Sequence, residues 1–373
     1  MNAKIKDLVE ISRFYGANKE YVIAGGGNTS FKNNDYLWIK ASGVYLDNID
    51  QDGFVCLSRD KLKIIYHKKY STNPQKREAE VKNDLNNAIV TSIGKRPSVE
   101  SSLHDVINYS FVVHTHPTLI NSLLCSKNAR SLSEKLFGFD ALFIEYVDPG
   151  YILFRKISDE LVLYRRMRSC DPKIILIENH GIFVSGESTR EIKSIYRKIE
   201  KTILNEITLD LPANICRSFN TNIEQIAVKL INNNKTYCTG TVSSELVSEF
   251  VRDIESFRET EKAFTPDHIV YCKSRYLFVD DSEEVKALNE IKEFNKKYGY
   301  YPKIIAVKNK GLLIIEENES ALEIVKELIL NMMKISYYAR SFGGSKPLSD
   351  RHIEFIESWE SENYRKQIMK NVN

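Results

Sequence analysis

The sequence predicts an α/β protein: a central β-sheet flanked by helices, followed by a second, degenerate α/β domain that reads as an internal repeat. Three observations predict it. Short apolar runs of strand length, among them Phe111-Val112-Val113 and Ile174-Ile175-Leu176-Ile177, alternate with longer stretches of helical periodicity. Two of these runs lead into histidines, at His114 and His180, which puts ligand-type side chains at strand ends. One block recurs: Pro172-Lys173-Ile174-Ile175-Leu176-Ile177-Glu178-Asn179-His180-Gly181 returns as Pro302-Lys303-Ile304-Ile305-Ala306-Val307-Lys308-Asn309-Lys310-Gly311.

The elements follow in order. Leu8, Ile11 and Tyr15 share one face of a first helix, which ends before the glycines of 25–27. Tyr36 to Lys40 reads as a strand and Glu78 to Ser92 as a helix. Pro97 breaks the chain ahead of a helix that begins at Ser98, carries Glu100 in its first turn and places His104 on the same face. Strands then lead to His114, to Ile144 and to His180, and an amphipathic helix runs from Ser188 to about Leu204. Both copies of the repeated block continue into an apolar strand, an acidic turn and an amphipathic helix, Thr189 to Leu204 and Ser320 to Met333. In the second copy Lys310 stands where His180 stands, and no second His-x-His pair accompanies it. That copy therefore reads as packing, assembly or support for the first site. Leu211-Pro212-Ala213-Asn214 marks the boundary, giving expected domains of 1–210 and 211–373.

At 373 residues the chain is long enough for two ordinary cores. Lys and Arg total 53 against 50 Asp and Glu, a near balance that argues against a dedicated nucleic-acid or membrane partner. The basic clusters Lys61 to Lys69 and Lys76-Arg77 read as solvated faces. Six scattered cysteines without a Cys-x-x-Cys pair point to reduced thiols in packed positions. With no apolar signal segment at the N-terminus and no run of membrane-spanning length, the expected location is the cytoplasm.

The chemistry is concentrated in His114-Thr115-His116-Pro117. Side chains two apart on a strand share a face, with Cα atoms roughly 7 Å apart, so both imidazoles can reach one ion at about 2 Å. Adding His180 gives three neutral imidazoles with a fourth position open, the ligand set of a catalytic divalent-metal site. The competing reading, a packed or hydrogen-bonded strand-end histidine, is the commoner fate of any one of them. Such an ion would act as a Lewis acid.

Further blocks stand in order around the histidines. Gly25-Gly26-Gly27-Asn28-Thr29-Ser30 comes first, then Ser42-Gly43, then Pro97-Ser98-Val99-Glu100-Ser101-Ser102-Leu103-His104. Val147-Asp148-Pro149-Gly150 and Asn179-His180-Gly181 follow. Together with His-x-His-Pro they resemble the class II aldolase/adducin family. With Thr265-Pro266-Asp267-His268 and Ser341-Phe342-Gly343-Gly344, the resemblance extends to the aldolase part of bifunctional rhamnulose-phosphate aldolase/lactaldehyde dehydrogenase proteins. It covers the aldolase part alone, without the dehydrogenase domain.

The resemblance implies a class II aldolase-like central sheet with a metal site in the first domain. It implies retro-aldol cleavage of a phosphorylated, rhamnulose 1-phosphate-like ketose to dihydroxyacetone phosphate and an aldehyde. It also implies a zinc ion on His114, His116 and His180, with Glu100 as general acid/base. Gly27, Asn28, Ser42, Gly43 and Ser98 match positions that bind phosphate in the family. Val99 departs from the pattern, standing where simpler members have a second serine, and Lys40 is the candidate replacement. Homo-oligomerisation is implied as well. Epimerase, dehydratase or decarboxylase chemistry in the same family, or a non-catalytic adducin-like scaffold, is the alternative. Retention of all three histidines and Glu100 favours an enzyme.

Overall fold

The computed structural model describes residues 3–91, 94–231 and 237–359. They form two compact units. The first takes in the described residues of 1–124, 128–206 and 358–373; the second takes in those of 125–127 and 207–357.

Chain order in the first unit is α1 (Ala3–Gly16), β1 (Asn28–Lys32), β2 (Tyr36–Lys40), β3 (Phe54–Ser58), α2 (Arg59–His67), α3 (Pro74–Asn87), β4 (Ile89–Thr91) and α4 (Ser101–Val106). Next come β5 (Phe111–Thr115), α5 (Thr118–Leu124), α6 (Ala129–Phe137), β6 (Ala141–Ile144), α7 (Tyr151–Arg168), β7 (Ile174–Ile177), β8 (Gly181–Gly186) and α8 (Thr189–Leu204). The strands make one sheet in the order β4-β3-β2-β1-β5-β8-β7-β6. Only β6 and β7 run parallel; the other neighbours are antiparallel. Strand β5 is central, and its flanking strands set Asn28 opposite His114 and His114 opposite Phe183. Residues far apart in sequence therefore meet at one point of the sheet.

One face of the sheet is covered by helices. Leu37, Ile39, Val55 and Leu57 pack with Leu62 and Ile65 of α2, Val81 and Leu85 of α3, and Leu153, Ile157 and Leu161 of α7. Burying a side chain of this kind is worth about 1.5–3 kcal/mol, so this layer holds the sheet rigid under the site. On α1, Leu8, Ile11 and Tyr15 are buried on one stripe, as their spacing predicts.

Several boundaries differ from the sequence expectation. The helix before Glu100 does not begin at Ser98. Ala41 bridges Pro97 and the Ser42 N–H donates to the Arg96 carbonyl, which keeps that backbone extended. Helix α4 starts at Ser101, and Glu100 is its N-cap. Helix α3 begins four residues before Glu78, because Asn73 caps it and Pro74 opens it. It stops at Asn87, ahead of β4; Ser92 lies outside the described residues. Strand β7 ends at Ile177, three residues short of His180. Arg77 is not solvated but buried against Glu78, at 2.9 Å. Among the cysteines, Cys56, Cys125 and Cys272 are buried, whereas Cys170 and Cys216 are exposed; none of the six forms a disulfide.

In the second unit α9 (Ile223–Ile231), β9 (Cys238–Val242), α10 (Glu245–Val251), α11 (Ile254–Phe257), α12 (Pro266–Cys272) and β10 (Leu277–Val279) come first. They are followed by α13 (Glu284–Tyr298), β11 (Ile304–Val307), β12 (Gly311–Glu316), α14 (Glu319–Ala339) and α15 (Asp350–Ser358). The sheet order is β10-β11-β12-β9, with one parallel pair and two antiparallel pairs, as in β6-β7-β8-β5. Corresponding details repeat. Asn309 has φ 57°, as Asn179 has φ 51°. The Asn309 N–H donates to the Val251 carbonyl at 2.8 Å, and the Asn179 N–H to the Leu124 carbonyl at 3.1 Å. Among the described residues no helix is long and apolar enough to cross a membrane.

Candidate metal centre

His114 closes the apolar run of β5 and His116 follows the strand directly, so both point to one side while Thr115 points to the other. His180 arrives from the turn between β7 and β8. That turn needs a left-handed residue, supplied by Asn179, and a residue without a Cβ at Gly181. A Cβ on Gly181 would stand 2.5 Å from the Thr115 carbonyl oxygen and 2.7 Å from His116 Cδ2. The close approach brings the three imidazoles together, with one ligand atom of each within 4.8 Å of the others. The Nε2 atoms of His114 and His116 are 3.0 Å apart.

The donor set fits a divalent metal. His114 is buried, and its Nδ1 lies 3.0 Å from the Ile182 carbonyl oxygen. A carbonyl can only accept, so Nδ1 carries the proton and Nε2 offers its lone pair to the cluster. Phe183 stacks on the His114 ring at 4.0 Å and 13°, fixing its plane. The Asn121 amide donates to the His180 carbonyl at 3.2 Å and steadies the turn. Three imidazole nitrogens suit zinc and related divalent ions.

Glu100 faces this cluster. Its Oε1 is 3.7 Å from His114 Nε2 and 3.8 Å from His180 Nε2. Its other oxygen, Oε2, accepts the Asn28 side-chain N–H at 2.5 Å. Asn28 Nδ2 also lies 3.3 Å from Ser98 Oγ, which in turn accepts the Glu100 backbone N–H at 3.2 Å. With both lone pairs of Ser98 Oγ engaged, its O–H remains as a donor. Asn28 Oδ1 is a buried acceptor with no hydrogen-bond partner among the described residues.

Strand β1 grips α4 at three successive positions of one face. Asn28 holds Glu100, Ser30 Oγ lies 2.7 Å from His104 Nδ1, and Lys32 Nζ donates to the His104 carbonyl at 2.7 Å. Burial, with His114 and Lys32 close by, holds the His104 ring well below the usual histidine range, so it is neutral. Burial also pushes the Lys32 ammonium down to about 7, partly offset by the Asp105 charge.

Gly27 abuts the same place: it has φ 62°, and a Cβ there would stand 2.7 Å from the His114 carbonyl oxygen. Ser42 lines a small cavity with Pro97 and Val99, beside Gly43 with its φ of 82°. Buried Lys40 donates to the Gly25 carbonyl at 3.2 Å. Of the tyrosines near the histidine blocks, Tyr109 donates its hydroxyl to the Asp171 carbonyl at 2.8 Å, and burial raises it to about 12. Tyr151 packs edge-on against Tyr70 at 4.8 Å. Sequence reasoning quoted Ser30 in its glycine-rich block without giving it a role, and missed Lys32, Ile182 and Phe183. The alternation of Asn28, Ser30 and Lys32 was a local signal for Lys32.

The model of the Class II Aldolase and Adducin N-terminal domain matches residues 6–204. The uncharacterized oxidoreductase YuxG of Bacillus subtilis (strain 168) is 22% identical over 408 residues, covering 97% of this chain. The chain spans only 58% of that protein's length. The L-fuculose phosphate aldolase of Methanocaldococcus jannaschii is 22% identical over 192 residues, 49% of this chain and 83% of that protein. A solved N-terminal class II aldolase domain from Thermoplasma acidophilum gives a TM-score of 0.47 at 26% identity, covering 55% of this chain and 94% of that one. The family match takes in more than half of the sequence, including Glu100 and all three histidines, and the chain belongs to the class II aldolase and adducin family.

Proposed function

We propose that this chain is a metal-dependent aldehyde-lyase that cleaves a phosphorylated, rhamnulose 1-phosphate-like ketose to dihydroxyacetone phosphate and an aldehyde. One observation carries the reading: three convergent imidazoles with the Glu100 carboxylate 3.7–3.8 Å from two of them. His114, His116 and His180 would hold the divalent ion, with zinc the best match. When bound, the ion supplies Lewis-acid stabilisation to the oxygens of the reacting ketose.

The chain's own groups do the rest. In the retro-aldol direction the hydroxyl that becomes the aldehyde oxygen gives up its proton, which solvent passes to Glu100; the carbon–carbon bond breaks with its electron pair kept on the dihydroxyacetone side, and the aldehyde leaves. Glu100 would deliver a proton to the carbon left behind from Oε1, while Asn28 fixes Oε2. Asn28 Oδ1 would accept from a substrate hydroxyl. The Ser98 hydroxyl, with Gly27, Asn28, Ser42 and Gly43, would receive the phosphate; Asn28 Nδ2, being committed to Glu100, would contribute least. Family membership supports a cytoplasmic homo-oligomer.

The second unit fits a degenerate copy of the first. The shared sheet order and the paired Asn179 and Asn309 turns support it. Through the pairings His114–Phe183 and Thr241–Leu313, Thr241 corresponds to His114 and Ser243 to His116, while Lys310 corresponds to His180. Phe219 lies against Gly311 as His116 lies against Gly181, which would fill the space of a metal pocket. The catalytic role therefore falls to the first unit.

The test is release of dihydroxyacetone phosphate from a panel of ketose 1-phosphates by the zinc-loaded chain. Product from any member supports the lyase reading. Metal uptake without product from the whole panel moves the reading to epimerase, dehydratase or decarboxylase chemistry. Absence of both leaves the scaffold.

A further inference from the structure

The face of β5 opposite the histidines carries groups that the reaction does not use. Thr115 is fully buried, and its Oγ1 lies 2.7 Å from the Tyr196 hydroxyl of α8. The Tyr196 ring sits 4.6 Å from that of Tyr15 and 5.8 Å from that of Tyr21, and the last two are 4.9 Å apart. Tyr21 is tied to the site through its backbone, because its carbonyl accepts the His116 N–H at 3.1 Å. The neighbouring Glu20 carbonyl accepts the Thr118 N–H at 2.9 Å. The backbone at His116 and just beyond it is thus fastened to the segment that carries Tyr21.

We propose that Tyr196, acting through Thr115, is a positioning residue of the metal centre. This rests on the metal reading above. Side chains alternate along a strand, so a group that fixes Thr115 from behind fixes the two residues that project forward, His114 and His116. A metal site tolerates ligand displacements of only about 0.2 Å, and a strand end held by packing alone drifts by more. The Tyr196–Thr115 hydrogen bond adds a directional restraint at the one residue between the two ligands.

The three hydroxyls of the cluster differ in a way that makes the proposal testable. That of Tyr196 reaches β5, that of Tyr21 bonds Glu200 on α8, and that of Tyr15 is buried without a hydrogen-bond partner among the described residues. Removing the Tyr196 hydroxyl cuts the restraint. Removing the Tyr15 hydroxyl leaves every bond to β5 in place.

The experiment compares wild type, Tyr196→Phe, the double variant Thr115→Val/Tyr196→Phe, and Tyr15→Phe. The double variant removes both partners and leaves no buried hydroxyl unpaired, which protects the fold. Each protein is loaded with cobalt(II), and its visible absorption and dissociation constant against a chelating dye are measured. Thermal unfolding is followed on the metal-free forms. The expected result is an altered cobalt spectrum and a dissociation constant raised about ten-fold in both Tyr196 variants. Tyr15→Phe should match wild type in cobalt spectrum and affinity, and the metal-free double variant should unfold within about 4 °C of wild type. Tyr196 variants with the wild-type spectrum and affinity overturn the inference alone, as does an equal shift in Tyr15→Phe. A wild type that takes up no cobalt overturns the metal reading and this inference with it.

Discussion

Asn28 and Glu100, seventy-two positions apart, meet across β1 and the start of α4 at 2.5 Å, the amide N–H donating to Oε2. The bond leaves Oε1 as the oxygen directed at His114 and His180. Its loss should be felt in the proton-transfer step and not in metal binding. A hydrogen bond to a charged group is worth about 1.5–3 kcal/mol, so Asn28→Ala should lower kcat by roughly 10- to 100-fold. Elemental analysis of the same preparation should show metal content unchanged. Loss of metal in parallel with activity would assign Asn28 to the ligand set instead.

Gly181→Ala tests the closeness of the histidine turn. The added methyl meets the Thr115 carbonyl and the His116 ring, so one of them has to move. Overpacking of this kind costs about 1–3 kcal/mol. Lower thermal stability together with weaker metal uptake is the expected pairing. Wild-type metal affinity in the variant would show that His116 is not held by this contact.

Tyr15→Phe should stabilise the protein. The Tyr15 hydroxyl is buried and has no hydrogen-bond partner among the described residues, and burial pushes its pKa far up. Removing such a group relieves about 1 kcal/mol of desolvation cost. Denaturant unfolding should show a higher midpoint at an unchanged slope. A lower midpoint would mean that the hydroxyl is bonded to water.

Lys32 gives a pH signature. Burial lowers its folded pKa to about 7 from the ordinary 10.5, so between those values the unfolded chain binds a proton that the folded chain does not. Stability from this group therefore rises with pH across that window, and the penalty is full below about 7. Wild type should gain on Lys32→Met by roughly 2–4 kcal/mol between pH 6.5 and 10. Parallel stability curves for the two proteins would show Lys32 to be hydrated.

Much of this was legible because it is local. Strand β5, the histidines that end it, and the repeated block with its Asn-x-Gly turn are written in consecutive residues. So was α8, capped by Ser188 through the Glu191 N–H. Strand β1 was not legible: Asn-Thr-Ser-Phe-Lys is too polar for a buried strand, yet all five residues are buried. Apart from Asn28 Oδ1, its polar side chains find their partners in Glu100, Ser98, His104 and Ser12, which no local pattern names. The start of α4 was misplaced for a similar reason. Pro97 marked a break correctly, but the bridge that ties Pro97 down comes from Ala41, the residue after β2, more than fifty residues away. The Tyr196–Thr115 bond spans eighty-one positions and left no trace in periodicity.

The central claim is that His114, His116 and His180 bind one metal ion. The most direct measurement is elemental analysis of the chain as purified and after reconstitution with zinc, beside His114→Ala treated identically. The account predicts about one ion per chain in wild type and loss of that ion in the variant. A reconstituted wild type without metal, or a variant that retains the full amount, would contradict it.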